Sequence, residues 1–189
     1  MKMSKLIEAN IFIENIGTNE QKENLKKQSK SFQKSNKSLI NTNWGCWRGE
    51  IQYKNIEWLE DKIIENLEKV MEYYKIQDKS YSKKLEEKYH YIESWTNINL
   101  PNSSNRIHTH KSFDFVAVYF VQGTNTGTLT FHNPANLLTD CSGNSPFTSR
   151  FSFEPKDGDL FIWPAWMPHE VDINLSNKER INIAFNIKI

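Results

Sequence analysis

The sequence predicts an α+β fold that is mainly β, a barrel or sandwich of short strands with helices laid against one sheet. Three observations lead there. Helical periodicity is confined to the first 90 residues. The last hundred residues carry instead eight short apolar segments, punctuated by Gly, Pro, Asn, Asp and Ser. The chain is 189 residues long, enough for one domain with a real core and too short for two ordinary ones. Helices in front and strands behind is the order of an α+β chain rather than of repeated βαβ units. The expected layout is a single domain over 1–189, with residues 1–90 as helical buttress and N-terminal strand and residues 91–189 as the β core.

The elements follow in order. Leu6 to Ile16 reads as a short strand. Thr18 with Gln21 three residues on forms a capping-box pattern and opens a polar helix of about 15 residues. Ser29 to Asn43, rich in Ser, Asn and Lys, reads as a loop. Trp44 to Gly49 sets two tryptophans beside two glycines and reads as a turn packed on the core. Ile56 to Tyr74 is the strongest helix: Ile56, Leu59, Ile63, Leu67, Val70 and Tyr74 keep i, i+3, i+4 spacing, so one apolar face should meet a sheet. Strands are expected at Tyr91–Leu100, Arg106–His110, Asp114–Gln122, Gly127–His132, Arg150–Glu154, Asp159–Trp163, His169–Asn174 and Arg180–Ile189. The Asn174–Glu179 segment reads as a hairpin turn, which would make the strands of His169 and Arg180 antiparallel neighbours.

Composition narrows the function. There are 24 Lys+Arg against 23 Asp+Glu, a formal charge of +1, which argues against tight nucleic-acid binding. The lysines Lys26, Lys27, Lys30, Lys34 and Lys37 could line a basic groove, but a solvated helix face explains them as well. No apolar run reaches the roughly 18 residues of a membrane span, and the first residues have no signal-peptide apolar stretch. Two cysteines, Cys46 and Cys141, exclude a disulfide framework and make the cytoplasm the expected compartment. The chain holds 20 Lys but only 4 Arg, and 21 Asn but only 5 Ala. Where Lys is the ordinary cation, each Arg invites a reason.

Chemistry gathers in the β half. His108 and His110 stand at i and i+2; on a strand they share a face roughly 6.6–6.8 Å apart at Cα, within reach of one metal ion. Alone, the pair could equally be surface or core histidines. His169 follows a Pro-bracketed loop, Pro164-Ala165-Trp166-Met167-Pro168, and could be a third ligand or an ordinary strand-end histidine. Arg180 comes eleven residues later. Buried in an apolar barrel, its guanidinium would demand a carboxylate; at a turn it could simply be exposed.

The order of these residues resembles that of the 2-oxoglutarate/Fe(II)-dependent oxygenases, and in particular a branch from phage and marine bacterial genomes. The matching segments are Ser94-Trp95-Thr96-Asn97, His108-Thr109-His110, Val118-Tyr119-Phe120, and Gly127-Thr128-Leu129-Thr130-Phe131-His132-Asn133-Pro134. They continue with Gly158-Asp159-Leu160, Pro164-Ala165-Trp166-Met167-Pro168-His169 and Arg180-Ile181-Asn182-Ile183-Ala184-Phe185-Asn186. The resemblance implies a double-stranded β-helix, a jelly-roll or cupin-like barrel, over residues 91–189. It implies Fe(II) held by His108, His110 and His169. It also implies 2-oxoglutarate as co-substrate, its far carboxylate on Arg180 with Tyr119 and Asn97 as possible helpers, and O2 as the oxidant. Succinate and CO2 would leave as an unidentified substrate is hydroxylated. His110 stands where most of the superfamily has Asp or Glu, so Asp114 is an alternative ligand. Asn99 and Asn186 are further candidate polar liners, and Trp163, Trp166, Phe131 and Phe185 candidate apolar walls. A phage-encoded chain would work in the host cytoplasm. Substrate class, peptidyl or small molecule, and oligomeric state are left open by the residues. The loop Leu137–Thr148 is a candidate for shaping the substrate entrance. Two other readings stand beside this one: a cupin-like three-His metalloenzyme that does not use 2-oxoglutarate, and a non-catalytic β-barrel binding protein.

Overall fold

The computed structural model describes residues 10–39, 43–76, 91–133 and 150–189. The elements are β1 (Phe12–Asn15), α1 (Asn19–Ser35), β2 (Asn43–Gly49), α2 (Glu57–Tyr73), β3 (Tyr91–His108), β4 (Phe115–Gln122), β5 (Leu129–His132), β6 (Arg150–Phe153), β7 (Asp159–Pro164), β8 (His169–Val171) and β9 (Arg180–Ile187). The strands form one sheet in the order β1-β7-β4-β9-β3-β8-β5-β6, with β2 beside β3. Every pairing is antiparallel. The sheet curls into a mainly β half-barrel with two helices, the jelly-roll class expected. The first half of the chain contributes more than a buttress, since β1 extends the sheet beyond β7 and β2 pairs with β3.

The two faces of the sheet carry different cores, and period-2 alternation sorts side chains between them. On β4, Phe115, Ala117, Tyr119 and Val121 join the core under the helices, while Val116 and Phe120 join the core inside the barrel. On β9, Ile181, Ile183, Phe185 and Ile187 face the helices. α2 brings Leu59, Ile63, Leu67 and Val70 to that helix-side core, the stripe that its periodicity announces. Because both faces are covered, β7 and β9 are buried along their whole length, which is unusual for an antiparallel sheet.

Four sequence expectations need correction. The capping box is present, with Thr18 Oγ1 accepting from Gln21 N and Gln21 Oε1 accepting from Thr18 N, but the helix runs on to Ser35, through the segment read as a loop. Ser29 is tolerated there because its hydroxyl donates to Leu25 O at 2.8 Å and meets Tyr53 Oη at 2.7 Å. Trp44–Gly49 is strand β2 rather than a turn. Gly45 sits at φ +68° where the register slips between Trp44 and Cys46, the conformation a bulge glycine supplies. The segments at 91–100 and 106–110 are one bent strand. Asn99 Nδ2 donates to Asn105 Oδ1 at 3.2 Å, although six residues of straight strand would span about 20 Å. Finally, β8 and β9 are not neighbours. β3 lies between them, pairing β9 through Tyr91–Asn99 and β8 through Asn105 and His108.

Among the lysines of α1, Lys30 is tied to Glu179, with Nζ at 2.7 and 2.6 Å from its two oxygens, and Lys26 lies near Glu23. No helix of the described residues is long and apolar enough to cross a membrane. The expectations for Leu6–Ala9, Leu137–Thr148 and Cys141 fall outside the described residues.

Candidate metal centre

β3 ends at His108, and β8 begins at His169 directly across the ladder from it. His110, two residues past the end of β3, is pinned by its backbone: His110 N donates to Ala165 O at 2.9 Å, and Ala165 N donates to Asp114 O at 2.9 Å. The Pro-framed loop expected to present His169 therefore also anchors His110. One ligand atom from each of His108, His110 and His169 lies within 4.8 Å of the others. Among the described residues this is the one group able to hold a metal. Asp114 stands outside it, exposed, with its carboxylate accepting Ile189 N at 2.8 Å.

Hydrogen bonding sets the tautomer of all three rings. His108 Nδ1 is 2.7 Å from Arg106 O, and His169 Nδ1 is 3.0 Å from Met167 O. A carbonyl only accepts, so each Nδ1 carries the proton. His110 Nδ1 is 2.6 Å from Asn186 Oδ1, while Asn186 Nδ2 donates to Glu93 Oε2 at 3.0 Å. The carboxylate fixes the orientation of the amide, and the amide fixes the imidazole. All three Nε2 lone pairs are thus left for a ligand. Those of His110 and His169 stand 3.3 Å apart. Two unprotonated lone pairs repel at that distance, whereas imidazoles at right angles on a cation, each about 2.0–2.1 Å from it, place their nitrogens about 3 Å apart. The donor set fits a divalent transition metal.

Burial keeps the rings neutral. It pushes His169 down to about 3 and His110 down to about 4, with His108 adding to both. His108 is lowered by the same burial, against its bond to Arg106. An unfolded histidine titrates near 6.5, so as pH falls the unfolded chain takes up protons before the native one does. Stability of the metal-free protein is therefore expected to fall steadily from about pH 6.5 downward. Thermal melts in the presence of a chelator between pH 7.5 and 5 check this. A flat profile would contradict it.

The rings open on a cavity of about 300 Å³, lined also by Asn97, Asn105, Asn182 and Trp163. Asn97 Nδ2 donates to Asn182 Oδ1 at 2.9 Å. Trp163 and Phe131 flank His169, at ring-centroid distances of 4.9 and 6.0 Å. Arg180 shares strand parity with Asn182, Ala184 and Asn186, so it lies on the cavity side of β9. Its register partner is Asn99, which reaches Asn105 through the bend of β3. Arg180 is fully buried, and none of its three guanidinium nitrogens has a hydrogen-bond partner among the described residues. Burial lowers its pKa to about 10, Cys46 and Asp172 opposing, so it remains cationic at neutral pH. Trp163 Nε1 is likewise buried without an acceptor among the described residues.

Tyr119, expected beside Arg180, is a correction. Its odd position on β4 turns it to the helix side, where Oη donates to Ile16 O at 3.2 Å and the ring meets Trp58. Phe185 is on that side too, and Trp166 is exposed, so neither walls the site. Sequence reasoning missed three residues. Glu93 is tied to His110 through Asn186. Arg48 lies with its guanidinium carbon 4.2 Å over Trp95, and Trp95 in turn stacks on His110 at 6.0 Å and 16°. Asn105 lines the cavity beside His108. The even spacing of Asn97, Asn99, Asn182 and Asn186 was the available signal for a polar lining.

No curated protein sequence matches the chain. Among solved structures, it is similar to a prolyl hydroxylase from Trichoplax adhaerens in complex with a hypoxia inducible factor peptide fragment: 12% identity over 94% of this chain and 83% of that one, TM-score 0.61. It is also similar to a Pseudomonas putida prolyl-4-hydroxylase, with 10% identity over 96% and 94% of the two chains and TM-score 0.58. The likeness to a 2OG-Fe(II) oxygenase family oxidoreductase of Burkholderia pseudomallei is partial, covering 50% of this chain and 42% of that one at 17% identity and TM-score 0.41. Residues 93–186 match the family described as "Putative 2OG-Fe(II) oxygenase". That stretch holds the three imidazoles, Arg180 and the strands that present them, and by it the chain belongs to the 2OG-Fe(II) oxygenase family.

Proposed function

We propose that the protein hydroxylates a C–H bond of a peptidyl substrate, with Fe(II) held by His108, His110 and His169 and with the far carboxylate of 2-oxoglutarate on Arg180. The observation that carries this reading is Arg180 itself, a buried guanidinium with no hydrogen-bond partner among the described residues, on the same sheet face as three convergent imidazoles. Leaving a buried charge unpaired costs on the order of 3–5 kcal/mol relative to the paired state. A dicarboxylate, all acceptor, is the ligand chemistry that relieves it, and a guanidinium meets a carboxylate in bidentate fashion. Trp163, which lines the cavity, carries a second buried donor, Nε1, without an acceptor among the described residues.

When bound, the iron supplies the redox chemistry that couples decarboxylation of 2-oxoglutarate, to succinate and CO2, with insertion of oxygen from O2 into the substrate. The chain's own part is positional. Arg106, Met167 and Asn186 hold the three imidazoles in the metal-ready tautomer. Arg180 holds the co-substrate at its far end. Trp163 and Phe131 keep water from the side of His169. A second cleft of about 780 Å³ adjoins the cavity and shares Arg48, Glu93 and Trp95 with it. An elongated substrate could place one residue at the metal and its flanks in this cleft, which supports a peptide, as does the fold shared with two prolyl hydroxylases.

Anaerobic addition of Fe(II) and 2-oxoglutarate is expected to give the weak visible charge-transfer band of the chelate. Metal uptake with no spectral or thermal response to 2-oxoglutarate would favour the cupin-like three-His reading instead.

A further inference from the structure

We propose that Glu93, acting through Asn186, is a positioning residue that lends the metal centre the negative charge its ligand set lacks. The proposal rests on the reading that the three imidazoles hold a divalent ion. Glu93 and Asn186 are register partners on β3 and β9. The Glu93 carboxylate accepts from Asn186 Nδ2 at 3.0 Å, and Asn186 Oδ1 accepts from His110 Nδ1 at a short 2.6 Å. The chain of groups is therefore carboxylate, amide, imidazole, with every donor and acceptor in a defined role.

The chemistry of the donor set gives this chain a purpose. Three neutral imidazoles offset none of the charge of a divalent ion, whereas a set of two imidazoles and one carboxylate offsets one unit. An imidazole whose Nδ1–H is bonded to an anion is a more basic ligand at Nε2. The amide of Asn186 is neutral and brings no charge itself, but a carboxylate behind it polarises the amide, and the bonds strengthen one another along the chain. The other two rings lack this feature: His108 and His169 bond to backbone carbonyls. Only the ring at position 110, where a carboxylate would otherwise coordinate, is backed by one. Arg48 acts electrostatically on both Glu93 and His110, so the charge of Glu93 also offsets that cation beside the metal.

The test separates charge from geometry. Glu93→Gln keeps an acceptor for Asn186 Nδ2 and removes only the charge. Glu93 is exposed, so the variant is expected to fold, and a melt checks it. Cobalt(II) is the probe, its affinity measured by competition with a chelating dye and its visible absorption recorded in the bound state. Glu93→Gln is expected to weaken cobalt binding about tenfold and to shift the absorption of the bound ion. The double variant Glu93→Gln, Asn186→Asp places a carboxylate directly on His110 Nδ1 and should recover wild-type affinity. Cobalt affinity of Glu93→Gln within twofold of wild type overturns the proposal, because a purely structural bond survives that change. Failure of the double variant to recover, with its melt unchanged, overturns it as well. A wild-type protein that binds no cobalt overturns the metal reading itself, a result distinct from equal binding by both.

Discussion

Arg180→Met is expected to abolish 2-oxoglutarate binding and, in the same protein, to raise the melting temperature of the ligand-free state. The two effects share one cause. At 0% exposure, without a hydrogen bond on any guanidinium nitrogen among the described residues, Arg180 is desolvated and only partly offset, at a distance, by Asp172 until a ligand carboxylate arrives. An apolar side chain of similar length removes that penalty. Replacing buried charge by well-packed apolar groups typically stabilises by roughly 1–4 kcal/mol, which in a chain of this size is a rise of several degrees, about 2–4 °C per kcal/mol. The wild type should recover the difference when 2-oxoglutarate is added with metal, and Arg180→Met should not. Arg180→Lys keeps the charge but not the bidentate fork, so it should bind 2-oxoglutarate weakly. Thermal melts with and without the ligand, read beside the chelate band, measure all of this. If Arg180→Met melts well below wild type, the guanidinium supports the fold and is not poised for a ligand.

His169→Ala is expected to bring bound iron to background and to lower any 2-oxoglutarate turnover by more than about 100-fold. His169 is the most deeply placed of the three rings, at 4% exposure. It also touches both of the others, with centroids 4.3 Å from His108 and 5.1 Å from His110. His108→Ala and His110→Ala should follow it. The control lies on the neighbouring strand: His132 bonds Glu170 at 2.9 Å and is no part of the group, so His132→Ala should keep wild-type metal content. Iron measured after anaerobic loading and desalting decides. Full metal content in all three single variants would remove the metal reading in every form.

How much of this was readable before the fold depends on how local each feature is. The α2 stripe needed only i, i+3, i+4 spacing, and the capping box only four residues. The strand faces of Asn97, Asn182 and Asn186 needed only period 2. His108, His110, His169 and Arg180 were selected by order and residue type. Ser29 was misread because a polar residue inside a helix looks like a breaker until its hydroxyl is seen bonded to Leu25 O and Tyr53. Tyr119 was misassigned for a related reason. Both faces of β4 are apolar and buried, so alternation separates Tyr119 from Phe120 without saying which of them looks into the cavity.

By itself, the sequence determined the helical stripe of α2 and the capping box of α1, most of the strands of the second half with the alternation along them, and the residue types that could hold a metal and a carboxylate. Those properties depend on neighbours within a few residues. Only the tertiary structure decided that β3 bends and stands between β8 and β9, that Asp114 serves the C-terminal end of the chain instead of the metal group, and that Glu93 stands behind His110 through Asn186. Each of these depends on hydrogen bonds between segments 75 to 93 residues apart or on the curl of a sheet that covers both its faces. Strand periodicity carries no information about either.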